Sequence, residues 1–297
     1  MTTAVTRREF AALAGASLLA LPARAQTETL LSRAIPSSGE KVPAVGLGTA
    51  AIFNRADEPT RDKAKAVVQA LIANGGRLID TASTYGDAEI VMGDEIAASG
   101  LRDKVFIATK LEAPDAAELK RSLARLKTNK VDLLQLHNVR QMNQLLARFR
   151  EWKAQGVCRY VGTTSTFHGD FPAVESTLRR EKPEFVQIDY SLDVREAEKR
   201  ILPLAAEVKA AVLTALPFGR GRLFRAVRGK TVPDWAAEFA GSWAQFFLKY
   251  LLGDPRVTAV IPGTGDARHM IDNLGAMRGR LPDTKERARM VAFIETL

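Results

Sequence analysis

The chain has 297 residues, of which 46% are hydrophobic and 26% charged, and this composition excludes a protein that is mainly disordered. The net charge is +9, but no arginine-rich run alternates with aromatic residues. The charge therefore indicates a solvated basic surface and argues against a nucleic-acid groove. Cys158 is the single cysteine, which excludes an internal disulfide and a zinc site built from cysteines.

The N-terminus has the order of a signal peptide. Arg7 and Arg8 precede an apolar run from Ala11 to Leu21, and small residues flank a cleavage site after Ala25. The arginine pair resembles the twin-arginine export signal, which the twin-arginine translocation machinery reads on folded proteins. A run of this length rises about 16 Å against a hydrocarbon core of about 30 Å, so it does not span a membrane.

We therefore expect residues 1–25 to be removed and residues 26–297 to form one domain that is exported to the periplasm. An uncleaved peptide lying on the membrane surface stays open as an alternative. Stable membrane insertion is not expected, because no other segment approaches transmembrane length.

The rest of the chain alternates between short apolar runs and helical stretches. Residues 30–43 first predict a β-hairpin around the turn formers at 36–39. Eight apolar runs of the kind found in buried parallel strands then follow at 44–48, 77–81, 105–109, 131–136, 157–163, 184–189, 210–216 and 257–261.

Eight strand-helix units without a break in composition predict a single α/β domain, a (β/α)8 TIM barrel with an N-terminal β-hairpin. A final helix over about residues 283–297 would pack outside the barrel. A doubly wound open sheet is the alternative. It is disfavoured because Gly46–Gly48 lack the third glycine of a dinucleotide fingerprint.

In such a barrel the chemistry lies at the carboxyl ends of the strands. Asp80, Lys110 and His137 each close an apolar run, and Tyr85 lies in the loop after Asp80. Lys110 needs a counterion in an apolar strand, and Asp80 is the nearest candidate. An ammonium beside a tyrosine stabilises the phenolate, so Tyr85 is the candidate general acid towards a carbonyl oxygen.

Neutral His137 would hold the same oxygen by a hydrogen bond. No protein side chain supplies a hydride, so a nicotinamide cofactor is expected. The three histidines lack metal-type spacing, and no metal site is predicted.

The motifs that carry these residues resemble the aldo-keto reductase superfamily. GRLIDTASTYGDAEIVMG contains Asp80 and Tyr85, FIATK ends at Lys110, and VDLLQLHN contains His137. The resemblance runs from about residue 31 to about residue 277 and includes all four members of the catalytic tetrad in order. It implies reversible reduction of an aldehyde or ketone.

The resemblance also implies where the cofactor binds. GTTS at 162–165 stands where the family holds the nicotinamide carboxamide with a Ser-Asn pair, so Thr164 and Ser165 take that place and the Asn is replaced. Gln187 matches the glutamine that also binds the carboxamide. Gly48 and Thr49, after the first strand, join this group.

The motif IPGTGDARHMIDN resembles the phosphate and adenine site of the eighth strand. It places Thr264 on a phosphate, His269 where many members have arginine, and Asp272 and Asn273 towards adenine. Arg268 beside His269 is the candidate partner of the 2′-phosphate, because Gly263 replaces the usual lysine. NADP is therefore expected, with NAD as the alternative.

The seventh strand departs from the family. Ala215 replaces the aromatic residue that stacks on the nicotinamide, and Phe218 is the candidate substitute. Gly219 and Gly221 lie with Arg220, Arg222, Arg225 and Arg228 in the loop 218–231, which would close over the pyrophosphate; a solvated basic loop is the alternative. Phe53 and the short loop 138–140 are expected to border the substrate pocket.

Two alternatives to carbonyl reduction stay open at this point. The same tetrad supports oxidation of a sugar or another alcohol, since each step is reversible. A nucleotide-binding regulatory protein on the same scaffold is the other alternative.

Overall fold

The structure is a computed structural model that describes residues 29–138 and 146–297. The expected signal peptide and most of the loop after His137 lie outside these residues, so the cleavage site and the domain boundary stay predictions.

The predicted hairpin is present and precedes the barrel. Strands β1 (Ser32–Ala34) and β2 (Lys41–Pro43) pair antiparallel. Ile35 and Val42 pack against the side chains that fill the barrel interior. The hairpin is also fastened to the barrel by a hydrogen bond of 2.8 Å between the Ser38 and Tyr160 hydroxyls. It therefore closes the amino-terminal end of the barrel.

Eight parallel strands form one sheet in which each strand pairs with its neighbours in the sequence. Their bounds are β3 Leu47–Gly48, β4 Leu78–Asp80, β5 Phe106–Leu111, β6 Val131–His137, β7 Cys158–Ser165, β8 Phe185–Asp189, β9 Ala211–Ala215 and β10 Ala259–Val260. Every residue of β5 and of β6 is buried, as the continuous apolar runs predict.

The sheet closes on itself. Parallel bridges join Val45 to Val260 and Gly48 to Gly263, and the Gly46 amide donates to the Val260 carbonyl at 2.9 Å. A Cβ on Gly48 would lie 3.2 Å from the backbone oxygen of Ile261, next to the last strand. The absence of a side chain at Gly48 therefore allows the first and last strands to approach closely. The (β/α)8 barrel is confirmed, and the open-sheet alternative is wrong.

Helices surround the barrel and connect its strands. Their bounds are α1 Glu58–Ala73, α2 Ala88–Ala98, α3 Ala116–Arg125, α4 Leu146–Ala154, α5 Phe171–Glu181, α6 Glu196–Lys199, α7 Ile201–Glu207, α8 Arg222–Ala226, α9 Trp243–Leu252, α10 Ala267–Gly275 and α11 Thr284–Glu295. No helix within the described ranges has both the length and the apolar character to cross a membrane.

The predicted final helix corresponds to α11. Asp283 caps its first turn and forms a capping box with Glu286, whose side chain accepts from the Asp283 amide. Inner residues Met290 and Ile294 are buried, so the helix packs on the outside of the barrel as predicted.

Candidate active site

Four predicted residues meet at the carboxyl end of the barrel. Asp80 is the last residue of β4, and His137 is the last residue of β6. Lys110 lies one position before the end of β5, and Tyr85 lies between β4 and α2. Parallel strands bring their carboxyl ends to one rim, which explains why residues far apart in sequence converge there.

Asp80 and Lys110 form a buried ion pair, which confirms the predicted contact. The Lys110 Nζ donates to Asp80 Oδ2 at 2.6 Å and to the Thr81 carbonyl at 2.7 Å. Residue exposures are 1% for Lys110 and 3% for Asp80. Gln187 supports the carboxylate from β8, since its Nε2 donates to the same Oδ2 at 3.2 Å.

Lys110 keeps its charge despite this burial. Burial alone would lower the pKa of Lys110, but the Asp80 carboxylate and the Tyr85 hydroxyl outweigh it, so the pKa is raised. The ammonium is therefore protonated at neutral pH and its position is fixed.

Tyr85 lies beside this ammonium. The Lys110 Nζ is 5.0 Å from the centroid of the Tyr85 ring, and the Tyr85 hydroxyl contributes to raising the pKa of Lys110. On its other side the Tyr85 ring meets His137 edge to face, with centroids 5.6 Å apart and planes at 78°. A proton donor, a fixed positive charge and an imidazole thus share one location.

His137 is neutral at physiological pH. Burial, together with the nearby charge of Lys110, lowers the pKa of His137 to about 4. The Thr84 Oγ1 lies 3.2 Å from its Nδ1. A neutral imidazole carries one donor and one acceptor, so this contact bears on which nitrogen holds the proton.

These groups line a cavity of about 500 Å³ at the mouth of the barrel. Asp80, Tyr85, His137, Thr164 and Gln187 supply its polar wall. The apolar wall consists of Ile52, Phe167, Leu216, Pro217, Phe218 and Ile261. Such a volume and such a mixture of walls are typical of a site for a small organic ligand.

Comparison with known proteins agrees with the geometry. The sequence pattern of the Aldo/keto reductase family matches residues 44–294. The chain belongs to the aldo/keto reductase family. It is similar to an aldo-keto reductase of Mycobacterium avium, with 32% identity over 223 residues, 71% of this chain and 73% of that protein. It is also 29% identical over 262 residues to the methylglyoxal reductase YeaE of Escherichia coli, covering 83% of this chain and 90% of that protein.

The fold has close counterparts among solved structures. An aldo-keto reductase from Klebsiella pneumoniae, crystallised in complex with NADPH, superposes with a TM-score of 0.76 at 26% identity, covering 89% of this chain and 96% of that one.

The cofactor positions expected in this aldo/keto reductase fall into two groups. Gly48, Thr164, Gln187, Phe218 and Gly221 line the cavity. The others do not line it, and they are Thr49, Ser165, Gly219, Thr264, Arg268, His269, Asp272 and Asn273.

Some of these other residues are held by internal contacts. Thr49 donates to the Asp80 carbonyl at 3.0 Å, and Ser165 donates to Asp170 at 3.0 Å. Because side chains alternate along a strand, Thr164 faces the cavity while its neighbour Ser165 faces the other way. Gly219 packs against Asp193, which a Cβ would approach within 2.5 Å.

The segment after β10 forms the start of α10. The Thr264 hydroxyl accepts from the Asp266 amide at 3.1 Å, and Asp266 caps the helix. Arg268 makes an ion pair of 2.7 Å with that same Asp266, and Gln245 donates to Asp272 at 2.7 Å. Asn273 is 2% exposed, and its amide has no hydrogen-bond partner within residues 29–138 and 146–297.

The backbone after β9 is unusual. Leu216, Gly219, Arg220 and Gly221 all have positive φ, of 55°, 56°, 54° and 80°. A leucine in this region is costly, and such strain is concentrated at binding sites. The loop holds Phe218 at the cavity, where it packs against Phe224 at 4.8 Å between centroids.

One pocket assignment is wrong. Phe53 is fully buried in the core, and the adjacent Ile52 lines the cavity instead. The turn after β3 reverses the direction of neighbouring side chains, and Ala51 has a φ of 60° there. Asn138 does line the cavity, whereas residues 139–140 of that loop lie outside the described chain.

Phe167 lines the cavity without having been predicted as a site residue from the sequence. It follows the end of β7, which is the one signal that would have found it. Arg220, one of the arginines of the loop expected to close over the pyrophosphate, also lines the cavity. His168, which had no assigned role, lies 3.5 Å from Asp189. The described residues contain no group of three or more His, Cys, Asp or Glu that could hold a metal ion.

Proposed function

We propose that this aldo/keto reductase reduces an aldehyde or ketone to an alcohol with NADPH, and that Tyr85 is the general acid. The observation that carries the proposal is the buried ammonium of Lys110, which lies 5.0 Å from the centroid of the Tyr85 ring at the wall of the cavity. Among the described groups that contact this ammonium and line the cavity, Asp80 accepts its hydrogen bond and Tyr85 is the one with a hydroxyl proton to donate.

The cavity fits a nicotinamide nucleotide. The Thr164 hydroxyl lines it and has no hydrogen-bond partner in the described parts of the chain, which suits the carboxamide group. Within the described residues the side-chain amide of Asn273 has no hydrogen-bond partner, which suits the edge of adenine, and Gly221 offers bare backbone to the pyrophosphate. When bound, the cofactor supplies the hydride.

The side chains perform the proton chemistry. The substrate oxygen accepts a hydrogen bond from Tyr85 and a second from neutral His137, which polarises the carbonyl carbon. As negative charge develops on that oxygen, the Tyr85 proton moves onto it. The Lys110 ammonium stabilises the phenolate that remains, and Asp80 keeps the ammonium in place.

Cofactor preference rests on the residues after β10. The proposal of NADP is supported by the similar protein crystallised with NADPH and by Arg268 at the start of α10. Arg268 is 87% exposed at its side chain but paired with Asp266, so binding a 2′-phosphate requires it to exchange that partner. Titration with NADPH and NADH by fluorescence tests the proposal, which is wrong if NADH binds as tightly.

The reductase proposal is tested by Tyr85→Phe, which removes the acidic proton and keeps the ring. We expect the rate of NADPH oxidation with a panel of small aldehydes, methylglyoxal among them, to fall by about 100-fold or more. The Kd for NADPH should stay within a factor of two. A Tyr85→Phe enzyme with the wild-type rate would rule out this general acid.

Activity in wild type also separates the alternatives. A regulatory nucleotide-binding protein would bind NADPH and turn over no aldehyde. A physiological dehydrogenase would oxidise alcohols with NADP more efficiently, by kcat/KM, than it reduces the matching carbonyls.

We further propose export to the periplasm through the twin-arginine pathway. The support is the order of Arg7, Arg8, the apolar run and the small residues before position 26. Replacing both arginines with lysine should leave the full-length precursor in the cytoplasm. Mature protein still reaching the periplasm would refute this route, and N-terminal sequencing of the wild-type protein tests cleavage after Ala25.

A further inference from the structure

The contact between Thr84 and His137 has no part in the chemistry described so far. Thr84 directly precedes Tyr85, and its hydroxyl lies 3.2 Å from Nδ1 of His137. Neither the Thr84 hydroxyl nor the other ring nitrogen, Nε2, has a further hydrogen-bond partner within residues 29–138 and 146–297. The ring is therefore held by protein on one nitrogen, while the residue itself lines the cavity.

The two tautomers of a neutral imidazole differ in what they offer a substrate. With the proton on Nε2, that nitrogen donates a hydrogen bond to a carbonyl oxygen. With the proton on Nδ1, Nε2 is an acceptor, and its lone pair repels the carbonyl oxygen. The hydrogen-bond partner of one ring nitrogen therefore determines whether the other nitrogen carries the proton.

The Thr84 hydroxyl satisfies both groups when it donates to Nδ1. Its hydrogen has no other acceptor among the described residues, and the lone pair of Nδ1 has no other donor. Burial and the charge of Lys110 oppose a second proton on the ring, so the ring stays neutral. A neutral ring has two possible tautomers, and the contact with Thr84 bears on which of them forms. Thr84 is exposed, and its replacement removes little packing.

We propose that Thr84 is a positioning residue that fixes the Nε2–H tautomer of His137 and thereby presents the only donor of the ring to the substrate oxygen. The step that needs this donor rests on the proposed carbonyl reduction. The tautomer itself is a property of the protein without substrate.

Nitrogen-15 NMR of histidine-labelled protein at pH 7 tests the tautomer directly, because the two ring nitrogens differ in shift and in their couplings to the ring protons. We expect wild type to carry the proton on Nε2, Thr84→Ser to keep it there, and Thr84→Val to shift the population towards Nδ1–H. Thr84→Val should also lower kcat by about 3- to 10-fold, the range of one neutral hydrogen bond, with Kd for NADPH unchanged. Thr84→Ser should restore the rate to within a factor of two.

Thr284→Val is the matched control. Thr284 is an exposed threonine at the start of α11, outside the cavity lining, and its replacement should change neither the NMR signals of His137 nor the rate. A proton on Nδ1 in wild type would overturn the proposal without any variant. Unchanged signals in a folded Thr84→Val protein would overturn it too. A wild type without reductase activity would refute the proposed function and leave the NMR result to decide the tautomer.

Discussion

Replacing Lys110 with methionine tests the central feature of the site, a charge pair held away from water. The substitution keeps the length and most of the volume of the side chain and removes its charge. Asp80 is then left 3% exposed, with Gln187 as its remaining donor. Removing one partner of a buried ion pair costs about 3–5 kcal/mol of the free energy of unfolding.

The loss should depend on pH in a definite direction. Burial raises the pKa of Asp80 above its unfolded value of about 3.9, and removing the ammonium removes the largest contribution that opposes this shift. The folded state then binds more protons at Asp80 than the unfolded state, so the contribution of Asp80 to the stability of Lys110→Met is greatest below about pH 4 and falls as pH rises. The slope reaches about 1.4 kcal/mol per pH unit until the folded pKa is passed.

Two further variants isolate the effect of burial. The double variant Asp80→Asn, Lys110→Met removes the group that titrates and should show no such slope. Lys153→Met breaks an ion pair of the same 2.6 Å length, between Lys153 and Glu184, in which the lysine side chain is 39% exposed. Because exposed pairs contribute little, it should cost less than about 1 kcal/mol.

The assay is urea unfolding followed by tryptophan fluorescence at pH 5 and at pH 7. The reasoning fails if Lys110→Met loses no more stability than Lys153→Met, or if its loss is the same at both pH values.

Three other perturbations have outcomes set by burial. The pKa of His137 is about 4 in the folded state and about 6.5 in the unfolded state, so the unfolded state takes up a proton first as pH falls. The free energy of unfolding should therefore drop by up to about 3 kcal/mol between pH 6.5 and pH 4. His137→Gln should abolish that loss in urea unfolding, and an identical loss in the variant would contradict the argument. Burial raises the pKa of Glu89, so the contribution of this carboxyl to wild-type stability is greatest below the unfolded pKa of about 4.3 and is lost as pH rises above it. Relative to wild type, Glu89→Gln should therefore gain stability between pH 5 and pH 8, which thermal unfolding at the two pH values checks. Gly93→Ala places a Cβ 2.2 Å from the Arg125 carbonyl and should lower stability by about 1–3 kcal/mol, whereas Gly169→Ala meets nothing within 4 Å; equal melting temperatures for the two would disprove the steric argument.

The fold follows from sequence because its signals are local and repeated. Eight apolar runs, separated by helical stretches, allow few arrangements once crossovers are required to be right-handed. Closure of the barrel has no such local signal, because it depends on contact between β3 and β10, which lie at opposite ends of the domain sequence. In the sequence Gly48 and Gly263 are only glycines near the ends of the first and last apolar runs, and their bridge is visible only in the structure.

The site residues also divide into those with a local sequence signal and those that only a spatial contact identifies. Asp80, Lys110 and His137 are visible in the sequence because charged or polar residues at the ends of apolar strands are costly without a purpose. The direction of a side chain in an irregular turn is not visible in the sequence, so the sequence predicts Phe53 at the pocket where the structure places Ile52. Thr84 gives no sequence signal, because its role is defined by a contact with a residue 53 positions away.

One buried positive charge assigns the roles of both groups at the cavity wall. The Lys110 ammonium is shielded from solvent, so its field acts on its neighbours at a lower effective dielectric than in water. Together with burial, it keeps His137 from gaining a proton, and in the proposed reduction it would stabilise the phenolate that Tyr85 leaves behind. The same charge thus serves both groups that face the substrate oxygen. Asp80 is needed because burial alone lowers the pKa of Lys110, and the Asp80 carboxylate is the largest contribution that opposes this shift.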